Sequence, residues 1–149
     1  MFGVDISEKA LRWARLNKRR LKCTNCRMLL GNADQPIPKR YLGKFALVVS
    51  NPPYIPSTDL ATLQPEVLKE PRMALIGGKQ GTEIIGRMLQ AAARLLRPQG
   101  AFVCEIGIHQ AAEVRNLFLA QGFEDVRETA DWQNIPRILS GIKSHSASS

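Results

Sequence analysis

Features that would point to a membrane, secreted or metal-binding protein are missing from this sequence of 149 residues. No apolar run approaches the roughly 20 residues of a membrane helix, and the chain does not open on a basic segment followed by an apolar one. The chain has three cysteines, and although Cys23 and Cys26 form a CxxC, no second pair stands at zinc-ribbon spacing. This pattern favours free thiols over a metal or redox site. We expect a cytoplasmic protein without metal or membrane contact, or a mitochondrial or plastid one if the parent is eukaryotic and its N-terminus is missing.

Acidic residues are also scarce, because 13 Asp and Glu stand against 21 Lys and Arg and leave a formal net charge of +8. This charge permits an acidic partner such as RNA without naming one. Basic residues crowd one side of the helix predicted after Ser7, namely Arg12, Arg15, Lys18, Arg19, Arg20 and Lys22. Because no aromatic residue interleaves them, a solvated helix face is favoured over a nucleic-acid site.

Strands and helices are predicted to alternate within one domain, residues 1–143, before a disordered polar tail, residues 144–149. The predicted strands are residues 1–5, 27–31, 45–50, 101–106, 123–130 and 135–142, and the predicted helices are residues 8–20, 82–97 and 109–121. The first helix is expected to bury Leu11, Trp13 and Ala14, and Pro98 and Gly100 are expected to end the second. Residues 55–80 are predicted to form a long irregular loop, of the kind that often covers a binding site.

Asn51, Pro52, Pro53 and Tyr54, called the NPPY loop below, directly follow the apolar run Phe45–Ser50. That run is typical of a buried parallel strand, so the loop is predicted at the carboxyl end of a sheet. The prolines offer no N–H donors, which leaves the carbonyls of Asn51 and Pro52 to accept hydrogen bonds from a ligand. With the Asn51 amide and the flat Tyr54 ring, the loop suits a planar group bearing an NH2, such as a carboxamide or the exocyclic amine of a base.

The NPPY loop resembles the motif (Asn/Asp/Ser)-Pro-Pro-(Tyr/Phe/Trp) of amino-group methyltransferases that use S-adenosyl-L-methionine. Downstream residues narrow the resemblance to the release-factor glutamine N5-methyltransferase family; they are Ile55, Pro65-Glu66-Val67, Glu70-Pro71, Ala74-Leu75, Gly77-Gly78 and Gly81. The resemblance implies an α/β fold with the Rossmann-like sheet of class I methyltransferases, mostly parallel with an antiparallel edge hairpin. It also implies methyl transfer to a glutamine side-chain amide of a peptide chain release factor.

The resemblance assigns roles to single residues. The four residues of the NPPY loop match the catalytic loop that holds the target amide, and Asn51 also borders the cofactor. Asp5 matches the acid that binds the cofactor ribose, whereas the residues alone allow a helix-capping acid equally well. Asp34 matches the contact to the adenine amino group, with a turn-forming aspartate before Pro36 and Pro38 as the alternative.

Two further polar residues stand near the predicted site. Glu105, near the end of its strand, could border the pocket, although an acid satisfied by a neighbouring group is the favoured interpretation. His109 could be a general base, although the start of a helix is favoured. Glu70, in the Glu-Pro of the family, is expected to have a structural or substrate-orienting role.

Parts of the family pattern have no counterpart in this sequence: the first strand, the glycine-rich turn after it, and the N-terminal helical domain. Gly77, Gly78 and Gly81 cannot replace that turn, because they follow the fourth strand of the family's sheet. The first strand is central in such sheets, so its absence is expected to expose two strand edges and a stripe of apolar side chains. We expect either that another chain pairs with these edges or that the second strand closes against the fourth, and we interpret the chain as a fragment.

Two rival functions remain open at this stage. N6-adenine methylation of DNA or RNA would use the same loop to hold a flipped base, which the positive net charge favours slightly and the pattern from Glu70 to Gly81 disfavours. A non-catalytic remnant or binding module without cofactor is the other, supported by the absence of the glycine-rich turn.

Overall fold

A computed structural model describes residues 1–145, so residues 146–149 of the tail predicted to be disordered lie outside the described residues. The chain divides into two compact units, Met1–Leu42 and Gly43–Ser149. That residues 1–143 form one domain stays a prediction. Along the described part of the chain, no helix is both long enough and apolar enough to cross a membrane.

The first unit is a strand, a helix and a second strand: β1 (Phe2–Asp5), α1 (Glu8–Arg20) and β2 (Arg27–Leu30). β1 and β2 pair in parallel, with Asp5 opposite Leu30. α1 begins where the sequence predicts, because the Ser7 hydroxyl oxygen accepts a hydrogen bond from the Ala10 N–H at 3.2 Å. Both strands therefore end at the same edge of the small sheet.

The buried face of α1 is narrower than the sequence suggests. Leu11 is 1% exposed, as predicted, and Ala14 is half-buried. Trp13 is 61% exposed, so the prediction that it is buried is wrong. Successive helix residues turn by roughly 100°, which puts Trp13 on the side of the helix away from Leu11.

The second unit contains the main sheet. Its helices and strands are β3 (Phe45–Ser50), β4 (Ile55–Pro56), α2 (Arg72–Leu75), β5 (Ile76–Gly78), α3 (Glu83–Leu95), β6 (Leu96–Glu105), α4 (Ala111–Ala120), β7 (Phe123–Ala130) and β8 (Pro136–Lys143). The main sheet has the order β3-β6-β8-β7. β3 and β6 are parallel, whereas β8 is antiparallel to both β6 and β7. This α/β architecture, with the β7–β8 hairpin at one edge, confirms the predicted fold class.

The core of the second unit lies between the main sheet and helices α3 and α4. Three aromatic rings form its centre: Phe102 stacks on Phe118 with ring centroids 5.4 Å apart, and Phe123 meets Phe118 edge-on at 5.4 Å. From α3, Ile85 and Leu89 are fully buried in the same cluster. This packing buries one face of β6, and the loop that follows β6 borders the site described below.

Two predictions about element boundaries are wrong. The segment predicted to be irregular contains short regular elements, because Ile55 pairs with Ile76 in a parallel sheet of β4 and β5. The α3 helix ends at Leu95, and Leu96 directly pairs with Phe45 in the main sheet. Pro98 and Gly100 thus lie inside β6 and do not end the helix, since pairing with β3 takes over from helical hydrogen bonding.

Strand β3 forms one edge of the main sheet in the part of the chain that the structure describes. Leu47 and Val49 on this strand are 53% and 67% exposed, in line with the expected apolar stripe. No residue of β3 is buried, so the prediction of a buried strand is wrong, because an edge strand is covered on one side only. β1 pairs with β2 inside the first unit. The two expected arrangements of the exposed strand edges stay predictions.

Candidate functional site

The NPPY loop leaves the main sheet at the edge where parallel strands β3 and β6 both end. Ser50, the residue before the loop, pairs with Cys104 of β6. Within the loop Pro52 is buried, Pro53 and Tyr54 are half-buried, and Asn51 is exposed. The prolines therefore attach the loop to the protein while the Asn51 amide stays open to a ligand.

Glycines of the following segment allow this close attachment. A Cβ atom on Gly77 would lie 2.7 Å from the Pro53 carbonyl oxygen and 2.8 Å from the Tyr54 Cα. A Cβ atom on Gly81, whose φ is +89°, would collide with the Tyr54 carbonyl oxygen. The chain at both glycines thus runs against the backbone of the NPPY loop, which explains why glycines recur at this spacing.

The turn that carries these glycines is held by Glu83, at the start of α3. The Glu83 carboxylate accepts hydrogen bonds from the backbone N–H groups of Gln80 and Gly81, each at 3.0 Å to the nearer oxygen. The hydrogen bond from Gln80 is the main reason that the pKa of Glu83 lies below its usual value. The carboxylate thereby holds the turn in the position that supports Tyr54.

The phenol of Tyr54 is held by the carboxylate at the end of β6. Its hydroxyl donates a hydrogen bond to Glu105 Oε1 at 3.2 Å. Burial raises the pKa of Tyr54, and the Glu105 charge raises it further because it opposes a phenolate. The interpretation of Glu105 as an acid satisfied by a neighbour is confirmed. Glu70, which is exposed, has a smaller effect in the same direction, and its predicted role stays a prediction.

The sequence interpretation missed Gln110, whose side chain holds the backbone of the same loop. The Gln110 Nε2 donates to the Tyr54 carbonyl oxygen at 2.8 Å, and its Oε1 accepts from the Gly107 N–H at 2.9 Å. A polar residue soon after the end of a buried strand was the available signal. His109, directly before it, has a φ of +67° and precedes α4, which begins at Ala111.

The predicted cofactor acids lie in the first unit, at the edge where β1 and β2 both end. The Asp5 Oδ1 accepts a hydrogen bond from the Ser7 N–H at 2.7 Å. Asp5 therefore orients the residue that caps α1 but is not itself the cap, since the Ser7 hydroxyl accepts from Ala10. The second carboxylate oxygen of Asp5 can accept another donor. Asp34 is half-buried, and its backbone carbonyl accepts a hydrogen bond from the Ile37 N–H at 3.0 Å. The chain therefore turns at Asp34, as the alternative interpretation of this residue predicted. Two carboxylates at one edge are acceptors of the kind that ribose hydroxyls and an adenine amine require, so these residues fit a nucleoside.

A cavity of about 410 Å³ lies elsewhere on the second unit, without any residue of the NPPY loop in its wall. Its wall is formed by Ile108, His109, Ala111, Ala112, Asn134, Ile135 and Pro136. Among residues 1–145, no group of three or more His, Cys, Asp or Glu side chains could hold a metal ion. Cys26 and Cys104 are buried, and burial raises the pKa of the Cys104 thiol to about 12.

Comparison with protein families finds one domain that covers most of the chain. The model of a family described as a methyltransferase domain matches residues 1–141. A release factor glutamine methyltransferase of Caulobacter vibrioides is 41% identical over 144 residues, which are 95% of this chain and 48% of that protein. The protein of the same name from Thermodesulfovibrio yellowstonii is 34% identical over 98% of this chain and 52% of its own length. The chain thus spans about half the length of these curated relatives.

Solved structures share the architecture at low sequence identity. A methyltransferase from Pyrococcus furiosus aligns with a TM-score of 0.69 and 20% identity, over 97% of this chain and 62% of that chain. A SAM dependent methyltransferase from Aquifex aeolicus aligns with a TM-score of 0.61 and 12% identity, over 95% of this chain and 68% of the Aquifex chain. These likenesses establish a common fold.

Proposed function

The chain belongs to the methyltransferase domain family, and from this membership we propose that it transfers a methyl group from S-adenosyl-L-methionine to the side-chain amide nitrogen of a glutamine in a peptide chain release factor. The observation that carries the proposal is the NPPY loop, in which an exposed Asn51 follows the sheet edge and Tyr54 is held at both its phenol and its carbonyl. The names of relatives up to 41% identical support the choice of substrate.

The loop acts by orienting the target amide. An amide nitrogen is a poor nucleophile because its lone pair is delocalised into the carbonyl group. The Asn51 side-chain oxygen and the Pro52 carbonyl would each accept one N–H of the glutamine NH2, which aims the nitrogen lone pair at the methyl group. The same two acceptors stabilise the positive charge that builds on the nitrogen as the bond forms. The methylated nitrogen is acidic enough to lose its proton without a dedicated strong base.

S-Adenosyl-L-methionine, when bound, supplies the electrophilic methyl group on its sulfonium. Asp5 is proposed to accept hydrogen bonds from its ribose hydroxyls, and Asp34 to accept one from its adenine amine. Asn51 is proposed to border the cofactor as well as the substrate. The free acceptor capacity of the exposed Asp5 carboxylate supports the first of these roles.

A second candidate is methylation of an amino group on an aromatic ring, including the exocyclic amine of adenine in DNA or RNA. The net charge of +8 favours a nucleic-acid substrate. A relative from Streptomyces pristinaespiralis, named as a 4-amino-L-phenylalanine/4-methylamino-L-phenylalanine methyltransferase, is 42% identical over 82% of this chain and 40% of its own length. An aromatic amine, like a carboxamide, presents a planar NH2 to the two acceptors.

Two measurements on the 149-residue chain test the proposal. Calorimetry with S-adenosyl-L-methionine should give micromolar binding, and N51A should bind with similar affinity. Transfer of a radioactive methyl group should then label a release factor and leave oligonucleotides and 4-amino-L-phenylalanine unlabelled. Label on either of the latter substrates supports the second candidate, and absence of cofactor binding supports a non-catalytic module.

A further inference from the structure

The Gln110 side chain connects the NPPY loop to the loop after β6. It is 8% exposed, and both ends of its amide are used. The Nε2 donates to the Tyr54 carbonyl, 56 residues away in sequence, at 2.8 Å. The Oε1 accepts from the Gly107 N–H at 2.9 Å. One buried side chain therefore links the candidate site to the loop that follows β6.

The surroundings of Gln110 require a neutral amide of this length. The Tyr54 carbonyl needs a donor and the Gly107 N–H needs an acceptor, so a carboxylate or an ammonium group satisfies only one of them. A Cβ atom on Gly81 would lie 2.8 Å from Gln110 Nε2, and one on Gly107 would lie 2.9 Å from Gln110 Oε1. Glycines thus provide the space at both ends of the amide.

The Tyr54 backbone is connected to Asn51 by a short segment with few free torsions. Pro52 and Pro53 lie between them, and each ring fixes φ near −65°. The hydrogen bond from the Tyr54 phenol to Glu105 holds only the tip of the side chain. The Gln110 hydrogen bond acts on the backbone itself, where the direction of the peptide plane is set.

We propose that Gln110 is a positioning residue, which fixes the NPPY loop through the Tyr54 carbonyl so that Asn51 and Pro52 present their acceptors to the substrate amide. This role rests on the proposed function. It predicts that Gln110 affects turnover more than the affinity for substrate or cofactor.

The test compares Q110E and Q110M with the wild-type chain and with Q90E. The glutamate side chain in Q110E keeps the acceptor for the Gly107 N–H but loses the donor to Tyr54, and Q110M loses both. Gln90 is exposed on α3, so Q90E makes the same charge change away from the site. Circular dichroism and thermal unfolding establish the folded fraction of each variant.

We expect Q110E to lower kcat on a glutamine-containing release-factor peptide by about 10- to 100-fold, because a buried carbonyl is left without its donor. The substrate KM and the cofactor Kd should stay within about threefold of wild type, and Q90E should match wild type. A protonated carboxyl can donate, so the turnover of Q110E relative to wild type should rise as the pH is lowered. A folded Q110E or Q110M with wild-type kcat overturns the proposal.

A second measurement separates this role from the proposed function. The nuclear magnetic resonance signals of the Asn51 side-chain amide and the Tyr54 N–H should shift in Q110E and Q110M, and remain in place in Q90E. Unchanged Asn51 signals refute the role of Gln110. If the wild-type chain methylates no glutamine peptide, the proposed function fails, and the Asn51 signals still decide whether Gln110 positions the loop.

Discussion

Replacement of Gly77 by alanine tests whether the NPPY loop depends on close backbone contact. The new Cβ would lie 2.7 Å from the Pro53 carbonyl oxygen and 2.8 Å from the Tyr54 Cα, and it would also collide with the Gly81 carbonyl oxygen. All three are backbone atoms, so no side-chain rotation relieves the overlap. Overpacking commonly costs about 1–3 kcal/mol, and we expect G77A to lose about 2–3 kcal/mol of unfolding free energy.

The matched control is G86A, because a Cβ atom on Gly86 would meet no atom within 4 Å. Gly86 lies inside α3, where alanine is favoured over glycine by roughly 0.5–1 kcal/mol. The same substitution should therefore destabilise at position 77 and stabilise at position 86.

Urea unfolding, followed by circular dichroism, measures both changes. For a chain of this size, 1 kcal/mol shifts Tm by about 2–4 °C, so thermal unfolding should lower Tm by roughly 5–10 °C in G77A and raise it slightly in G86A. A G77A variant as stable as wild type would mean that the loop shifts freely, and the reasoning about the glycines would be refuted.

Three further predictions follow from the site and the core. N51A should lower methyl transfer by at least about 100-fold while cofactor affinity changes little, because two-point orientation of the amide is lost; unchanged turnover refutes the assigned role. The pKa of Tyr54 is raised in the folded chain, so its contribution to stability is complete below the unfolded pKa near 10 and is lost as pH rises through the folded pKa. The free energy of unfolding, measured with urea between about pH 8 and 11, should therefore fall less steeply with pH in Y54F than in wild type. Parallel pH profiles of the two proteins contradict this. Burial raises the pKa of Cys104 to about 12, so a thiol reagent at about pH 8 should modify Cys104 only after unfolding, with C104S identifying its signal beside that of the partly exposed Cys23; rapid labelling of Cys104 itself in the native chain contradicts the buried placement.

Local patterns predicted the elements that depend on neighbouring residues. Ser7 ahead of an amphipathic segment predicted the start of α1, and the structure confirms it through the Ser7 hydroxyl. Gly122, with a φ of +76°, ends the segment of α4 as expected. The Phe45–Ser50 strand and the hairpin of β7 and β8 were predicted for the same reason, because apolar pattern and turn residues lie close together in the chain.

Other features depended on where a distant segment packs. Trp13 lies within an amphipathic helix, yet its exposure depends on the direction that α1 presents to β2. Pro98 was expected to end a helix, but the pairing of Leu96 with Phe45 draws this segment into the sheet. Propensity is a weak preference that tertiary pairing overrides, so sequence alone placed these boundaries wrongly.

The sequence by itself identified the candidate loop, because an apolar strand followed by two prolines predicts a stiff loop at the end of a strand, and the resemblance carried by that loop implied the fold class. Only the tertiary structure decided how that loop is held. Glu105 meets the Tyr54 phenol from 51 residues away, and Gln110 meets the Tyr54 carbonyl from 56 residues away. Partners so far apart in sequence leave no local pattern, since only the pairing of β6 with β3 and the packing of α4 against the sheet bring them together.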